Sequence, residues 1–275
     1  MTRLTSCFER LKNEGRKAVI PYIVAGDPSR SGTVPLMHRL VDAGADIVEL
    51  GVPFSDPMSE GPVIQKGHER ALDNGISLRD VLGMVADFRQ HDSSTPVVVM
   101  GYANPVERMG YASFATACAE VGVDGLITVD LPPEEVDSLR DQLELVGIDN
   151  IFLISPTTPE PRIKTIVQSA SGFIYYVAVK GVTGAGHLDT ADVASYMTKI
   201  KEATTLPVCV GFGIKDAASA GAVAGVADGA VVGSALIDTM AQTIANGGSE
   251  ELATDNAISL LKSIRNGVDN VPTGV

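Results

Sequence analysis

The sequence of 275 residues has few cysteines and histidines, and neither type is clustered. Cys7, Cys118 and Cys209 form no CxxC pair, so we expect reduced, buried thiols in a reducing compartment. The four histidines show no metal-ligand spacing, and there is no Ser–His–Asp, Cys–His or nucleotide P-loop pattern. The sequence therefore predicts no bound metal and no hydrolase triad.

Clustered basic charge and long apolar runs are also absent. The net charge is -13 and Lys and Arg are scattered, whereas a nucleic-acid-binding protein is more often basic on one face. No apolar run reaches the roughly 18 residues of a membrane span, and the first residues lack the apolar segment of a signal peptide. We therefore expect a cytoplasmic protein with no nucleic-acid or membrane partner, although backbone N–H groups can still bind a phosphorylated small molecule.

The most prominent feature is a recurring unit, in which a short β-branched run is followed by Gly, Pro or Asp and then by a longer amphipathic stretch. Short apolar runs between such residues indicate buried strands, and their alternation with helices indicates a parallel sheet. Eight strands are predicted, at residues 18–25, 46–50, 96–101, 124–129, 150–154, 173–179, 207–210 and 229–232. Their number matches a (β/α)₈ barrel, the TIM barrel, with outer helices around eight parallel strands.

The chain is predicted to form one barrel domain over residues 1–275, because no linker interrupts the repeat. The closing helix is expected at 250–264, and residues 266–275 are expected to fray. An open doubly wound sheet is the alternative, but it calls for G-x-G-x-x-G after the first strand, where this chain has Gly26-Asp27-Pro28. Further helices are predicted at 31–42, with Val34, Met37, His38 and Val41 on one stripe, at 134–145, and at 217–224 behind a capping Asp216.

Glu49 is the clearest candidate for catalysis, because active-site residues of such barrels lie at the carboxyl ends of the strands. In the run DIVEL, Glu49 alternates with Val48 and Leu50, so its side chain should point into the barrel. A lone carboxyl group there loses solvation, which raises its pKa and suits acid/base work near neutral pH. The structural alternative is a Glu paired with a Lys or Arg at the barrel mouth.

A long loop, residues 51–62, follows Glu49 and carries two more carboxylates. Pro and Gly stiffen it, and long ordered loops at this end of a barrel usually carry function. Asp56 and Glu60 are candidates for a second functional carboxylate, but each is equally well explained as a solvated loop charge.

Glycine-rich turns after the last strands predict a phosphate site. Gly211-Phe212-Gly213-Ile214 and Gly233-Ser234-Ala235 follow strands seven and eight, where barrels often bind phosphate through backbone N–H groups. Tight turns would need the same glycines, so either motif alone is weak evidence. The segment 180–186 (KGVTGAG) after strand six is typical either of a hinged lid or of an ordinary flexible loop.

Taken together, these segments resemble one family, the alpha subunits of tryptophan synthase. The most specific segment is ELGVPFSDP, residues 49–57, and the resemblance extends from about Phe8 to the last helix. The other segments that carry it are MGYANP at 100–105, Asp130 with the Pro pair 132–133, GVTG at 181–184, GFG at 211–213, and Gly233-Ser234.

The resemblance implies a lyase that cleaves indole-3-glycerol phosphate to indole and D-glyceraldehyde 3-phosphate in L-tryptophan biosynthesis. It also implies a beta-subunit partner in an α₂β₂ heterotetramer, which receives the indole through a tunnel and joins it to serine. The pyridoxal phosphate for that second step belongs to the beta subunit, so no cofactor is expected in this chain.

The resemblance further implies roles for individual residues. Glu49 would be the main acid and base, and Glu60 would be the second carboxylate, near the indole N–H. The family usually has Asp at the second position, so the side chain here is one methylene longer. The remaining roles would be substrate contact for Tyr175 and Phe212, the indole pocket wall for Tyr22, Met100 and Ile127, the lid for Thr183, phosphate binding for Gly184, Gly213, Gly233 and Ser234, and contact with the beta subunit for Pro53, Asp56 and Asp130.

Two other functions remain open from the sequence. A sugar-phosphate isomerase or epimerase would share the glycines after strands seven and eight, but it would more often need a metal or a Lys/Asp pair and would not explain ELGVPFSDP. A scaffold that docks to and activates a beta subunit without catalysis would follow if Glu60 cannot replace the usual Asp. Slow release of indole by the isolated protein distinguishes an enzyme from such a scaffold.

Overall fold

A computed structural model of the chain describes residues 2–178, 190–211 and 213–271. Within them, eight parallel strands close into a barrel in chain order, and the eighth pairs with the first. The strands are β1 Ala18–Val24, β2 Val48–Gly51, β3 Val97–Gly101, β4 Gly125–Thr128, β5 Asp149–Ile154, β6 Ile174–Val177, β7 Val208–Gly211 and β8 Gly229–Val232. The predicted (β/α)₈ barrel is confirmed, and the open doubly wound sheet is excluded because the sheet has no free edge.

Helices surround the barrel, and at least one follows every strand. In chain order they are α1 Arg3–Asn13, α2 Thr33–Asp42, α3 Pro62–Asp73, α4 Leu78–Arg89, α5 Ala103–Met109, α6 Tyr111–Val121, α7 Asp137–Val146, α8 Glu160–Ser169, α9 Thr190–Ala203, α10 Ala217–Ala224, α11 Ser234–Ala245 and α12 Glu250–Asp269. Over the three described ranges, no helix is both long and apolar enough to cross a membrane.

Two of the helix predictions were wrong in detail. The face that α2 buries carries Leu36, Met37 and Leu40, whereas Val34 and His38 of the predicted stripe are only partly buried. Helix α7 begins at Asp137, three residues after its predicted start, because the residues that follow the Pro pair form a turn first.

The ends of the last helices are better defined than the sequence indicated. Helix α12 continues to Asp269, five residues beyond its predicted end, so residues 266–269 of the segment expected to fray are helical. Helix α10 has the predicted bounds. Asp216 caps it by accepting the backbone N–H of Ser219, and the Ser219 side chain completes a capping box.

The amino-terminal end of the barrel is closed by α1. Leu4 is fully buried beside Gly125 of β4 and Gly172, where an added Cβ would come within 3.0 and 3.3 Å of the leucine Cδ1. On the same helix, the Phe8 ring packs against Phe173 with 5.8 Å between ring centroids. Active sites of such barrels lie at the opposite end, where the strands have their carboxyl ends.

Aspartates join the strands at the closed end. Asp46, Asp124 and Asp228 accept the backbone N–H groups of Val19, Val97 and Val208, at 3.0, 2.8 and 3.0 Å respectively. Each aspartate also pairs with two basic side chains, of which the nearest are Arg265 for Asp46, Arg89 for Asp124 and Lys201 for Asp228, at 2.8, 2.7 and 3.3 Å respectively. Because each carboxylate accepts a backbone N–H and pairs with a basic side chain, these charges stabilise the barrel.

Candidate active site

Glu49 lies on β2 beside Tyr22 of β1, with which it is in register. Its side chain is fully buried, and among the described residues neither carboxyl oxygen has a hydrogen-bond partner. Burial, followed by the negative charge of Glu60, raises the pKa of Glu49 to about 8. The alternative of an ion pair with Lys or Arg therefore finds no support in the described part of the chain. Glu49 is protonated over much of the neutral range and can donate a proton.

Glu60 lies at the end of the loop after β2 and is 3% exposed, so it is not a solvated loop charge. Its Oε2 atom lies 2.7 Å from Nε2 of His68 and accepts a hydrogen bond from the Tyr22 hydroxyl at 3.3 Å. Asp56 in the same loop is exposed. The two carboxylates of the loop are thus in different environments, and only Glu60 is placed to act in a buried site.

Two buried tyrosines lie at the barrel mouth, and each passes over a glycine of the adjacent strand. A Cβ added to Gly51 would lie 2.7 Å from Cζ of Tyr22, and one added to Gly211 would lie 2.5 Å from Cζ of Tyr175. Burial, and then the charges of Glu60 and Glu49, raise the pKa of Tyr22, and burial is also the main reason that the pKa of Tyr175 is raised. Both phenols therefore remain protonated and can donate hydrogen bonds.

One cavity brings the two glutamates together with the turns after β7 and β8. Six of the residues predicted for the site line it, namely Tyr22, Met100, Tyr175, Gly213, Gly233 and Ser234, in addition to Glu49 and Glu60. The sequence analysis gave no lining role to Ile64, Ile214 and Val231, which complete the wall. Ile127 is fully buried and is not among the lining residues.

The far end of the cavity is built from backbone. Helix α11 begins at Ser234 immediately after Gly233, so its first N–H groups have no partner within the helix, and the helix dipole favours an anion there. Gly213 also lines the cavity, with a φ of 79°, a conformation that favours glycine. No Lys or Arg is among the described lining residues. An anion here would therefore be held by N–H groups and the Ser234 hydroxyl.

Three predicted site residues, Thr183, Gly184 and Phe212, lie outside the described residues. The predicted lid segment 180–186 lies outside them as well.

The residues predicted to face a partner differ in exposure. Asp56 and Asp130 are exposed, and Asp130 also accepts the backbone N–H of Ala103 at 2.7 Å, which holds the start of α5. Pro53 is buried within this chain. The Phe54 ring stacks on Tyr102, with 4.9 Å between centroids, and this contact anchors the loop that carries Asp56.

The described residues include no group of three His, Cys, Asp or Glu side chains that could hold a metal ion. The three cysteines are free and buried, as predicted. Burial raises the pKa of Cys7 to about 11 and that of Cys118 to about 12, so both thiols stay protonated.

Comparison with known proteins identifies relatives along nearly the whole chain. The sequence profile of the family described as tryptophan synthase alpha chain matches residues 8–267. The tryptophan synthase alpha chain of Dechloromonas aromatica is 53% identical over 271 residues, which cover 98% of this chain and 99% of the relative. That of Nitrosococcus oceani is 54% identical and covers 98% of both chains.

Solved structures show the same similarity. Tryptophan synthase subunit alpha from Legionella pneumophila superimposes with a TM-score of 0.90 at 44% identity, covering 98% of this chain and all of that one. A chain from the crystal structure of Mycobacterium tuberculosis tryptophan synthase in its aminoacrylate-bound form gives a TM-score of 0.86 at 32% identity, with 98% of this chain and 100% of that one covered.

Proposed function

The chain belongs to the tryptophan synthase alpha chain family, and we propose that the cavity around Glu49 is where it cleaves indole-3-glycerol phosphate to indole and D-glyceraldehyde 3-phosphate. This reaction is a carbon–carbon lyase step of L-tryptophan biosynthesis. The observation that carries the assignment is Glu49, a fully buried carboxyl group with a pKa of about 8 and no hydrogen-bond partner among the described residues. Such a group gives and takes protons readily near neutral pH.

Glu49 performs two successive proton transfers in this proposal. It first donates its proton to the indole ring carbon that bears the glycerol phosphate, so the ring becomes an indolenine cation that can accept an electron pair. The resulting carboxylate then removes the proton of the adjacent side-chain hydroxyl. The carbon–carbon bond breaks, its electrons restore the indole ring, the hydroxyl carbon becomes the aldehyde, and Glu49 is protonated again.

Glu60 stabilises the positive charge that builds up at the indole nitrogen in the same proposal. Tyr22, Met100 and Tyr175 form the walls around the ring, with Ile127 behind them and Phe212 as a further contact. Gly184, Gly213, Gly233 and Ser234 bind the phosphate, and Thr183 closes the lid. The cavity is lined both by the two glutamates and by Gly233 and Ser234 at the start of α11, which supports this orientation of the substrate.

The partner proposed for the chain is the beta subunit, in an α₂β₂ assembly whose pyridoxal phosphate is bound by the beta subunit. The exposed carboxylates Asp56 and Asp130, together with the loop that contains Pro53, form the proposed contact surface. We further propose that residues 1–275 act as one barrel domain in the cytoplasm.

Glu60→Ala is expected to lower kcat for indole release by about 10²- to 10³-fold, because one preorganised group that stabilises transition-state charge contributes about this much. The measurement is indole release from indole-3-glycerol phosphate by wild type and variant, with and without a beta subunit. Glu69→Ala removes an exposed carboxylate of α3 and is expected to leave the rate unchanged.

Either of two results contradicts the proposal. If the wild type releases no indole even with the partner, the chain is a docking scaffold or acts on another phosphate ester. If the wild type is active and Glu60→Ala is as active, the second carboxylate has no role in stabilising charge.

Gly211→Ala is expected to reduce kcat/KM by about 10- to 100-fold, because the added methyl group displaces the Tyr175 ring from the cavity wall. Steady-state kinetics on the folded variant measure the effect. Gly83→Ala is the control, because Gly83 lies in α4 with open space around its Cβ position. Equal kinetics for the two variants would show that the position of Tyr175 does not matter.

A further inference from the structure

His68 lies on the inner face of α3, where the buried positions also include Ile64, Gly67 and Ala71. Its side chain is 1% exposed and lies between the backbone of Phe54 and the carboxylate of Glu60, both of which belong to the loop after β2. Nδ1 accepts the backbone N–H of Phe54 at 2.9 Å. Nε2 lies 2.7 Å from Oε2 of Glu60 and 3.2 Å from the Tyr22 hydroxyl oxygen.

The Phe54 amide determines which nitrogen of His68 carries the proton. A backbone N–H can only donate, so Nδ1 must offer its lone pair, and the proton of the neutral ring lies on Nε2. Nε2–H therefore donates to Glu60. The Tyr22 hydroxyl donates to the same oxygen at 3.3 Å, so two fixed donors converge on Oε2.

These two donors matter because the Glu60 side chain is longer than that of the Asp that the family usually has at this position. A glutamate has one more rotatable bond than an aspartate and samples more positions, which costs more entropy when it must act in one of them. Both donors are themselves held in place, His68 by the Phe54 amide and Tyr22 by its burial on β1. Groups locked in this way hold a functional side chain in its productive geometry.

We propose that His68 is a positioning residue that holds the Glu60 carboxylate at the indole end of the cavity and thereby lets a glutamate take the second role. The inference rests on the proposed function, in which Glu60 stabilises charge at the indole nitrogen. His68 itself acts only through Glu60.

A double-mutant cycle tests the inference. In the otherwise wild-type protein, His68→Ala is expected to lower kcat for indole release by about 10- to 100-fold, since misplacing a functional group by about 1 Å costs up to about 10²-fold. KM should change less than kcat. In the Glu60→Ala background, the same substitution should cost less than about 3-fold, because the carboxylate that His68 positions is already gone.

A conservative pair of variants separates positioning from a merely structural role. His68→Gln carries an N–H donor near the place of Nε2 and should recover much of the lost kcat. The side-chain amide of His68→Asn lies near the place of Nδ1, so this variant should not recover the lost kcat. Thermal unfolding of all variants checks that they are folded.

The outcomes are distinguishable from a failure of the proposed function. An inactive wild type overturns the function itself. If the wild type is active, the role of His68 alone is overturned by either of two results. One is a His68→Ala loss that is equally large in the Glu60→Ala background, and the other is no loss in either background.

Discussion

Glu49→Gln is expected to lower kcat for indole release by about 10³- to 10⁴-fold, the largest loss from any single substitution in the cavity. Gln occupies nearly the same volume but can neither give nor take a proton, and general acid–base catalysis contributes about 10²- to 10⁴-fold. Steady-state kinetics with indole-3-glycerol phosphate measure the loss. In the wild type, activity should fall as pH rises through about 8, where Glu49 loses the proton that it must donate first.

The same variant is expected to be more stable than the wild type at alkaline pH. The pKa of Glu49 is raised from 4.5 to about 8, so between these values the folded state keeps a proton that the unfolded chain has released. Wild-type stability therefore falls as pH rises through this window, by up to about 1.4 kcal/mol per unit, and the loss is complete above pH 8. The Gln variant stays neutral and avoids this loss.

Urea unfolding of both proteins at pH 6 and pH 9 measures this difference. The free energy of unfolding of the Gln variant relative to wild type should increase between the two pH values, by on the order of 2 to 3 kcal/mol. A constant difference would mean that Glu49 does not titrate in this range. An active Gln variant would mean that another group transfers the proton.

Arg265→Met is expected to lower the free energy of unfolding by about 3 kcal/mol, because it removes the nearest basic partner of the buried Asp46, which among the described residues keeps only Arg10 at 3.7 Å. Arg265 on α12 is 6% exposed and donates to Asp46 at 2.8 Å and to the carbonyl of Lys17 at 3.1 Å. Burial raises the pKa of Asp46, and Arg265 opposes that shift. Without Arg265 the pKa of Asp46 should rise further, so the deficit is present at pH 7 and shrinks as the pH falls toward 4.

Arg39→Met is the matched control, because Arg39 also joins α12 to the rest of the barrel through an ion pair. The pair with Asp255 has a similar distance, 2.5 Å, but both side chains are exposed, so the expected cost is at most about 1 kcal/mol. Chemical denaturation at pH 7 compares the two variants. Similar losses would show that burial of the Asp46 pair does not determine its contribution.

The strands could be predicted from the sequence because each is a short β-branched run that is buried on both faces and bounded by Gly, Pro or Asp. β8 has the predicted bounds, and the other strand ends differ by at most two residues. The prediction of the buried face of α2 was wrong because the spacing of the hydrophobic residues fits two neighbouring stripes of the helix. Only packing against the barrel shows that Leu36 and Leu40 face inward.

The candidate site was predictable where a residue belongs to a strand end and less so where it belongs to a loop. Alternation in β2 was enough to place Glu49. The burial of Glu60 depends on its contacts with Tyr22 and His68, which come from other elements. A signal for His68 does exist, since it shares the helical spacing of Ile64 and Ala71 on the buried face of α3. Its link to Glu60, however, is a tertiary contact that no local pattern contains.

The pairing of β8 with β1, and of Arg265 with Asp46, also bears on how the protein is made. The two partners of that ion pair are 219 residues apart, and Ala18 of β1 pairs with Gly229 of β8. At the usual rate of about 5 to 20 residues per second, the ribosome needs roughly 10 to 45 s to add Arg265 after Asp46. During that interval β1 has no β8 to pair with, and Asp46 lacks Arg265. The barrel can close only after β8 has been synthesised, so it depends on the emerging chain being kept from aggregation until then.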